Sequence, residues 1–299
     1  MRVFADPFDR LMDDLQETAR PQREWVDGRG LLLIAGHFLS GVGAGGWAFS
    51  SALGFLPGEI TSLVVVGLSG LAHLLFLGRP ERFWRMVRIR TSWVGRGFVG
   101  LNILMAAGVV YLVLRAAGLG GSGLASVVWG LSLLGAGIVM LYKGNVYAVC
   151  RAIPFWNSSL LPVLYVAYAL RGGTALLLLF LPWTPLSAEQ GLIEVLELWI
   201  GLSAGVCILF YLTIMANSSV GAKRSVEDLL RGRVAAAFYV GVVAVGFVIP
   251  VAIGILNAVT PVSMGALALV GVASLVGDFY VKYAIAKAGR YLPHVYQAR

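Results

Sequence analysis

Three histidines are present. Two of them, His37 and His73, sit in stretches otherwise built from glycine and aliphatic residues, GHFLSGVGAGG and GLAHLLFLG. An imidazole titrates near neutral pH, so it can take or give a proton under working conditions. Two phenols, Tyr142 and Tyr147, close a third apolar run, and Arg79, Arg82 and Arg85 follow the second. Donors for two carbonyls, a proton-exchanging group and apolar walls are what a quinone headgroup and its tail require. Each histidine could instead hydrogen-bond a neighbouring helix. A third possibility, bis-histidine haem ligation, needs two facing histidines per haem. His37 and His73 are the one intramembrane pair, so two haems cannot be held.

Whether these groups meet depends on the elements that carry them. The chain has 299 residues, 59% hydrophobic and 13% charged. A soluble domain is about a quarter charged, so water is not the solvent for most of this surface. A membrane-spanning helix needs about 20 predominantly apolar residues. Eight stretches qualify: 29–52, 60–77, 97–115, 124–142, 159–181, 191–215, 234–256 and 262–286. Pro57, Gly120 to Gly123, Pro182, Pro185 and Thr260–Pro261 mark turns between them. The expected fold is an all-α membrane protein of about eight helices in two four-helix-bundle-like halves. The expected organisation is an arm over 1–28, a membrane domain over 29–286 and a tail over 287–299. In that register His37 and His73 lie on antiparallel neighbours, about 6 Å apart in depth at 1.5 Å per residue. Tyr142 and Tyr147 reach the same level.

Charge supports the register. Twenty-one Lys and Arg fall on the side that carries both termini, against Arg115 and Arg171 on the other. By the positive-inside rule both termini are then cytoplasmic. The basic connections are also the longer, Trp-containing ones, and suit a soluble partner. Residues 1–28 lack a cleavable signal, so the first span is expected to act as its own insertion signal. Within that tail Asp6, Asp9, Asp13, Asp14 and Glu17 oppose Phe4, Phe8, Leu11, Met12 and Leu15. That pattern predicts a short amphipathic helix, more acidic than membrane-surface helices usually are.

Other groups weigh less. Cys150 and Cys207 are too few for an iron–sulfur site. Gly41, Gly43, Gly45 and Gly46 have no preceding strand, so they suit close helix packing or a smooth wall against a flat ligand better than phosphate binding. Asp278 and Lys282 are spaced to pair on one helix face. With Glu194 and Glu197 they could mark either a proton path or structural pairs.

The stretches GHFLSGVGAGGWAFSSALG and AHLLFLGRPERFWRMVRIRTSWVGRG resemble the NrfD/DmsC family of membrane subunits of polysulfide and DMSO reductases. Leu77-Gly78-Arg79-Pro80, then Arg82, Trp84 and Thr91-Ser92-Trp93, carry the resemblance most specifically. Ile153-Pro154-Phe155-Trp156-Asn157 with Leu161-Pro162 also fits. The resemblance is strong over 30–100 and 142–173 and weak after 190. It implies a haem-free subunit that binds menaquinone or ubiquinone in the cell inner membrane. It also implies partners: a four-cluster ferredoxin-like iron–sulfur subunit and a molybdopterin or tungstopterin catalytic subunit, with no nucleic acid. It implies a quinone site of His37, Tyr142 or Tyr147, and Gly78, Arg79 and Arg82; together with the residues read above, the expected catalytic residues are His37, His73 and Tyr142, and the expected cofactor-binding residues Gly41, Gly78, Arg79, Arg82, Trp84 and Tyr147. Two departures stand out. Phe76 replaces a His or Asp found in some relatives, with His73 one turn earlier, and Ile34 replaces an Asn. A cytoplasmic docking face would suit a complex similar to a phenylacetyl-CoA:acceptor oxidoreductase. The alternatives are a transporter or proton-translocating channel, and an anchor with no working quinone site.

Overall fold

A computed structural model describes residues 20–184 and 189–292. Eight helices in it are long and apolar enough to cross a membrane. They are α1 (Gly30–Ala52), α2 (Leu56–Phe76), α3 (Trp93–Ala116), α4 (Gly123–Ala148), α5 (Leu160–Phe180), α6 (Gln190–Ala216), α8 (Ala237–Val259) and α9 (Met264–Ala288). A shorter amphipathic helix, α7 (Val220–Leu230), lies between α6 and α8 and buries Ala222, Val226 and Leu229. Ser92, Ser122, Ser219 and Ser263 cap α3, α4, α7 and α9 by accepting a backbone N–H three residues on. Gly54, at φ 63°, makes the tight turn between α1 and α2 in a conformation that side chains disfavour.

Helices α1–α4 form one half and α5–α9 the other, joined chiefly where α1 packs on α5. These two are the central helices: each buries 67% of its most apolar window, against 22% for α3 and α8. Their backbones touch. A Cβ on Gly45 would stand 2.0 Å from the Ala169 carbonyl oxygen, and one on Gly173 2.4 Å from the Gly45 carbonyl carbon. Glycines of the first span therefore serve helix packing.

Three sequence expectations need correction. The fourth helix runs to Ala148, six residues past the predicted end. The apolar run stops at Lys143, but that side chain turns inward and is buried. Lys143, Arg171 and Lys282, each assigned to one face or the other in that tally, are buried within helices, so nineteen basic residues oppose Arg115 alone. The expected amphipathic helix over 3–28 lies outside the described residues as far as residue 19, and residues 20–28 are not helical. They are pinned to the end of α9. Gln22 N–H donates to Gly289 O (3.0 Å), Tyr291 N–H to Arg20 O (2.7 Å), and the Gln22 amide to Ala286 O. The end of the bundle where these segments meet is the near face. There Asp228 of α7 accepts from Arg290 (2.8 Å) and Arg233 (2.9 Å). Burial alone would raise its carboxyl pKa, but those two guanidinium groups outweigh it and hold the carboxyl below its ordinary range.

Candidate functional site

A cavity of about 450 Å³ opens between α1, α2, α3 and α4 at the near face. His37 and His73 reach it with ring centroids 5.4 Å apart and planes inclined by 49°. His73 Nδ1 lies 2.7 Å from the Ser69 carbonyl oxygen. A carbonyl can only accept, so Nδ1 carries the hydrogen, and in the neutral ring Nε2 keeps its lone pair. That nitrogen faces Tyr142 Oη at 3.4 Å. His37 Nδ1 faces Tyr147 Oη at 3.3 Å, and Tyr147 packs on Trp156 and Trp25.

Two glycines make this geometry possible. A Cβ on Gly36 would stand 2.5 Å from the His73 ring, and one on Gly97 2.3 Å from the Tyr142 ring. The imidazole lies in a notch of α1 and the phenol in a notch of α3. Ser69 Oγ, which donates to Gly36 O at 2.8 Å, fixes α2 against α1 at that level.

The remaining predicted residues divide. Tyr147 orients His37 from behind and does not line the cavity. Gly41 does not line it either: it faces Ala169 and leaves room for Lys143 Nζ, 3.4 Å from where its Cβ would be. Gly78, Arg79, Arg82 and Trp84 are exposed, on or beside a 3₁₀ segment (Pro80–Met86) that covers the cavity mouth. From that segment Phe83 and Met86 line the cavity, not the arginines. Sequence reasoning missed Phe83, Met86, Asn102 and Lys143. Lys143 Nζ donates to the His37 carbonyl oxygen at 3.0 Å, buried beside the histidine pair. A lysine one residue after Tyr142 was a usable signal, had the helix been extended.

The second half buries a different set of groups. Arg171 Nη1 donates to Asp278 Oδ1 (3.3 Å), and Nε lies 3.4 Å from Glu197 Oε1. Nη2 donates to Ser274 Oγ (2.9 Å) and Gly246 O (2.5 Å). Arg171 thereby ties α5 to the backbone of α8 four residues before Pro250. The same stretch, Ala237–Val248, is wound as a π-helix, a form found often at functional sites. Ser274 and Thr174 donate to Glu197. Lys282 donates to the Asp278 backbone carbonyl (3.3 Å), so the carboxylate's ionic partner is Arg171 and not the lysine one turn on. Glu194 accepts from Gln190 and Asn257, each at 2.6 Å, and does not pair with Glu197. Among the described residues no cluster of three His, Cys, Asp or Glu could hold a metal ion.

No curated protein matches the chain. A family model does, over residues 29–293, and the chain belongs to the polysulphide reductase NrfD family, whose members are membrane subunits of polysulfide- and DMSO-type reductase complexes.

Proposed function

We propose that this chain is the quinone-reactive anchor of such a complex, exchanging electrons between a membrane quinone and an iron–sulfur subunit. The cavity bearing His37, His73 and Tyr142 supports this reading most strongly. Its residues fit a quinone headgroup. Tyr142 Oη keeps lone pairs free at the wall, and a headgroup carbonyl could take over the hydrogen that Tyr142 now points toward His73 Nε2 at 3.4 Å. Leu74, Leu77, Phe98 and Leu101 give a tail an apolar course toward lipid. A quinone supplies the chemistry of taking two electrons and two protons to become a quinol. The chain's own part is to hold and move those protons. Tyr142 donates or withdraws a hydrogen bond, His73 passes a proton at Nε2, and Tyr147 keeps His37 Nδ1 oriented. The reading takes the subunit as haem-free, with the His73 imidazole seated in the notch at Gly36.

On the same reading the exposed basic loop of Arg79, Arg82, Arg85 and Arg88 docks a four-cluster iron–sulfur subunit beside a molybdopterin subunit. The positive-inside rule assigns that face to the cytoplasmic side of the inner membrane. His37→Ala and His73→Ala are each expected to abolish quinone-linked turnover of the complex while sparing reduction of an artificial dye by the catalytic subunit. Unchanged quinone kinetics in both variants would remove the histidines from the site.

A further inference from the structure

Residues 20–29, the described part of the N-terminal arm, lead into α1 as a strap of turns. Val26 N–H and Asp27 N–H donate to Arg23 O (3.0 and 2.8 Å), and Gly30 N–H donates to Asp27 O (3.0 Å). The strap folds back over the first turn of α1 so closely that a Cβ on Gly30 would stand 2.5 Å from the Trp25 carbonyl carbon. Gln22 and Val26 anchor it, only 1% and 4% exposed. Gln22 gives its amide to Ala286 O and its backbone N–H to Gly289 O, both at the end of α9. Its Oε1 accepts from Trp25 N–H at 3.2 Å. Lys287 of α9 lies 3.7 Å from the Asp27 carboxylate. The second half of the bundle therefore holds the strap.

Trp25 is the strap residue that lines the histidine cavity, which otherwise belongs to the first half. Behind it stand two fixed rings. Trp156 meets it edge-on with centroids 5.1 Å apart, and Tyr147 is tilted against it at 5.4 Å. Trp156 donates to Ile285 O of α9 at 3.0 Å, and a Cβ on Gly289 would stand 2.9 Å from its indole. The Tyr147 hydroxyl faces His37. Both of these rings are fully buried, whereas Trp25 is only half-buried and turns part of its open surface to the cavity. The indole thus enters from the near face, beside His37. The other rings at the wall are placed differently: Phe83 rides on the exposed segment at the mouth, and Phe98 flanks the apolar course toward lipid.

We propose that Trp25 is a quinone-binding residue, that its indole packs on the headgroup ring at the His37 end of the cavity, and that Gln22 positions it from the second half. This rests on the quinone reading. A flat ring gains more from an aromatic neighbour, offset or edge-on, than from an aliphatic one of similar area. The indole is backed by rings that cannot retreat, so little order has to be created on binding. The headgroup site is then completed by the half of the molecule that supplies none of its histidines.

The test uses the full-length chain in detergent and two probes without isoprenoid tails, a naphthoquinone and a benzoquinone, with affinity read by titration calorimetry. For the probe that wild type binds more tightly, Trp25→Leu should weaken affinity about tenfold and Trp25→Phe less than about threefold. Gln22→Met, which removes the amide bonds but keeps the indole, should weaken it about threefold. The same ring carrying a short isoprenoid tail should show the same losses, because the tail leaves past Leu74 and Leu101. Trp25→Phe also gives a check that does not depend on the folding of the leucine variant. Saturating quinone should quench more tryptophan emission in wild type than in Trp25→Phe, and equal absolute quenching would overturn the contact. Wild-type affinity in Trp25→Leu, equal losses in the Leu and Phe variants, or a loss confined to the tailed quinone would overturn the assignment of Trp25 to the headgroup. Wild-type affinity in Gln22→Met would overturn the positioning role of Gln22. Binding of neither probe by wild type would instead overturn the quinone reading, and the role of Trp25 with it.

Discussion

The half built from α1–α4 and the half built from α5–α9 solve the same packing problem with opposite chemistry. In the first, the polar groups that ring the near-face cavity are imidazoles, phenols and hydroxyls, with Lys143 buried behind His37 and a separate Glu59–Arg115 pair where α2 begins and α3 ends. In the second they are full charges, an arginine between two carboxylates with a lysine beside them, and a cavity between α6 and α8 opens at the opposite face. Neutral groups can be rearranged around a mobile ligand at small cost. Charges in a low-dielectric interior must be balanced before anything else is asked of them. The contrast separates a region suited to binding from one built around balanced charge.

The most forceful way to break that contrast is to unbalance the charged half. Arg171→Leu would leave Asp278 and Glu197 without their shared cation, and loss of one partner of a buried ion pair costs about 3–5 kcal/mol. The expected outcome is a large fall in the thermal unfolding midpoint of the purified protein in detergent, partly restored by adding Asp278→Asn and Glu197→Gln. His73→Ala in the other half removes a group whose hydrogen-bond partners, Ser69 O and Tyr142 Oη, are neutral, and should cost only about 1 kcal/mol in the same assay. Equal losses in the two variants would mean that both halves depend on their polar groups in the same way.

That asymmetry was only partly legible in the sequence. The eight spans were, because twenty apolar residues in a row have few other uses, and so was the shared depth of His37, His73 and Tyr142. Arg171 was not, although it lies a dozen residues inside a predicted span. Its partners Glu197 and Asp278 sit on other helices, the latter 107 residues further along, and no local period links them. Assigning Arg171 to the charge of one face hid its interior role, and the same tally hid that of Lys143. The roles of Gly36 and Gly97 were equally out of reach: a glycine shows nothing of the ring that will occupy its notch.

Gly36 offers a sharper test of the neutral half, with a smaller expected effect on stability. Gly36→Ala puts a methyl where the His73 ring now lies. The ring can swing away, at the cost of its bond to Ser69 O, so overpacking of about 1–3 kcal/mol is expected with the fold kept. Quinone affinity should fall about tenfold, read from quenching of intrinsic fluorescence on titration with a short-tailed quinone. An unchanged affinity would show that the position of His73 does not matter to the site.

The smallest effect on binding is expected from the residues that looked most specific in the sequence. Arg79 and Arg82 belong to the LGRP segment, yet both are exposed, while Phe83 and Met86 from the same 3₁₀ segment face the cavity. One short element thus turns its aromatic and thioether groups inward and its guanidinium groups outward. Replacing Arg79 and Arg82 together with Ala should change quinone affinity by less than about twofold, whereas Phe83→Ala should weaken it several-fold by uncovering the mouth. If the arginines serve a soluble partner, the double variant should instead weaken retention of that partner as ionic strength rises, since exposed charges are screened within about 10 Å at 0.1 M salt. A double variant that lost quinone affinity as strongly as Phe83→Ala would place the guanidinium groups at the headgroup after all, and the line between the inward and outward faces of this segment would have to be redrawn.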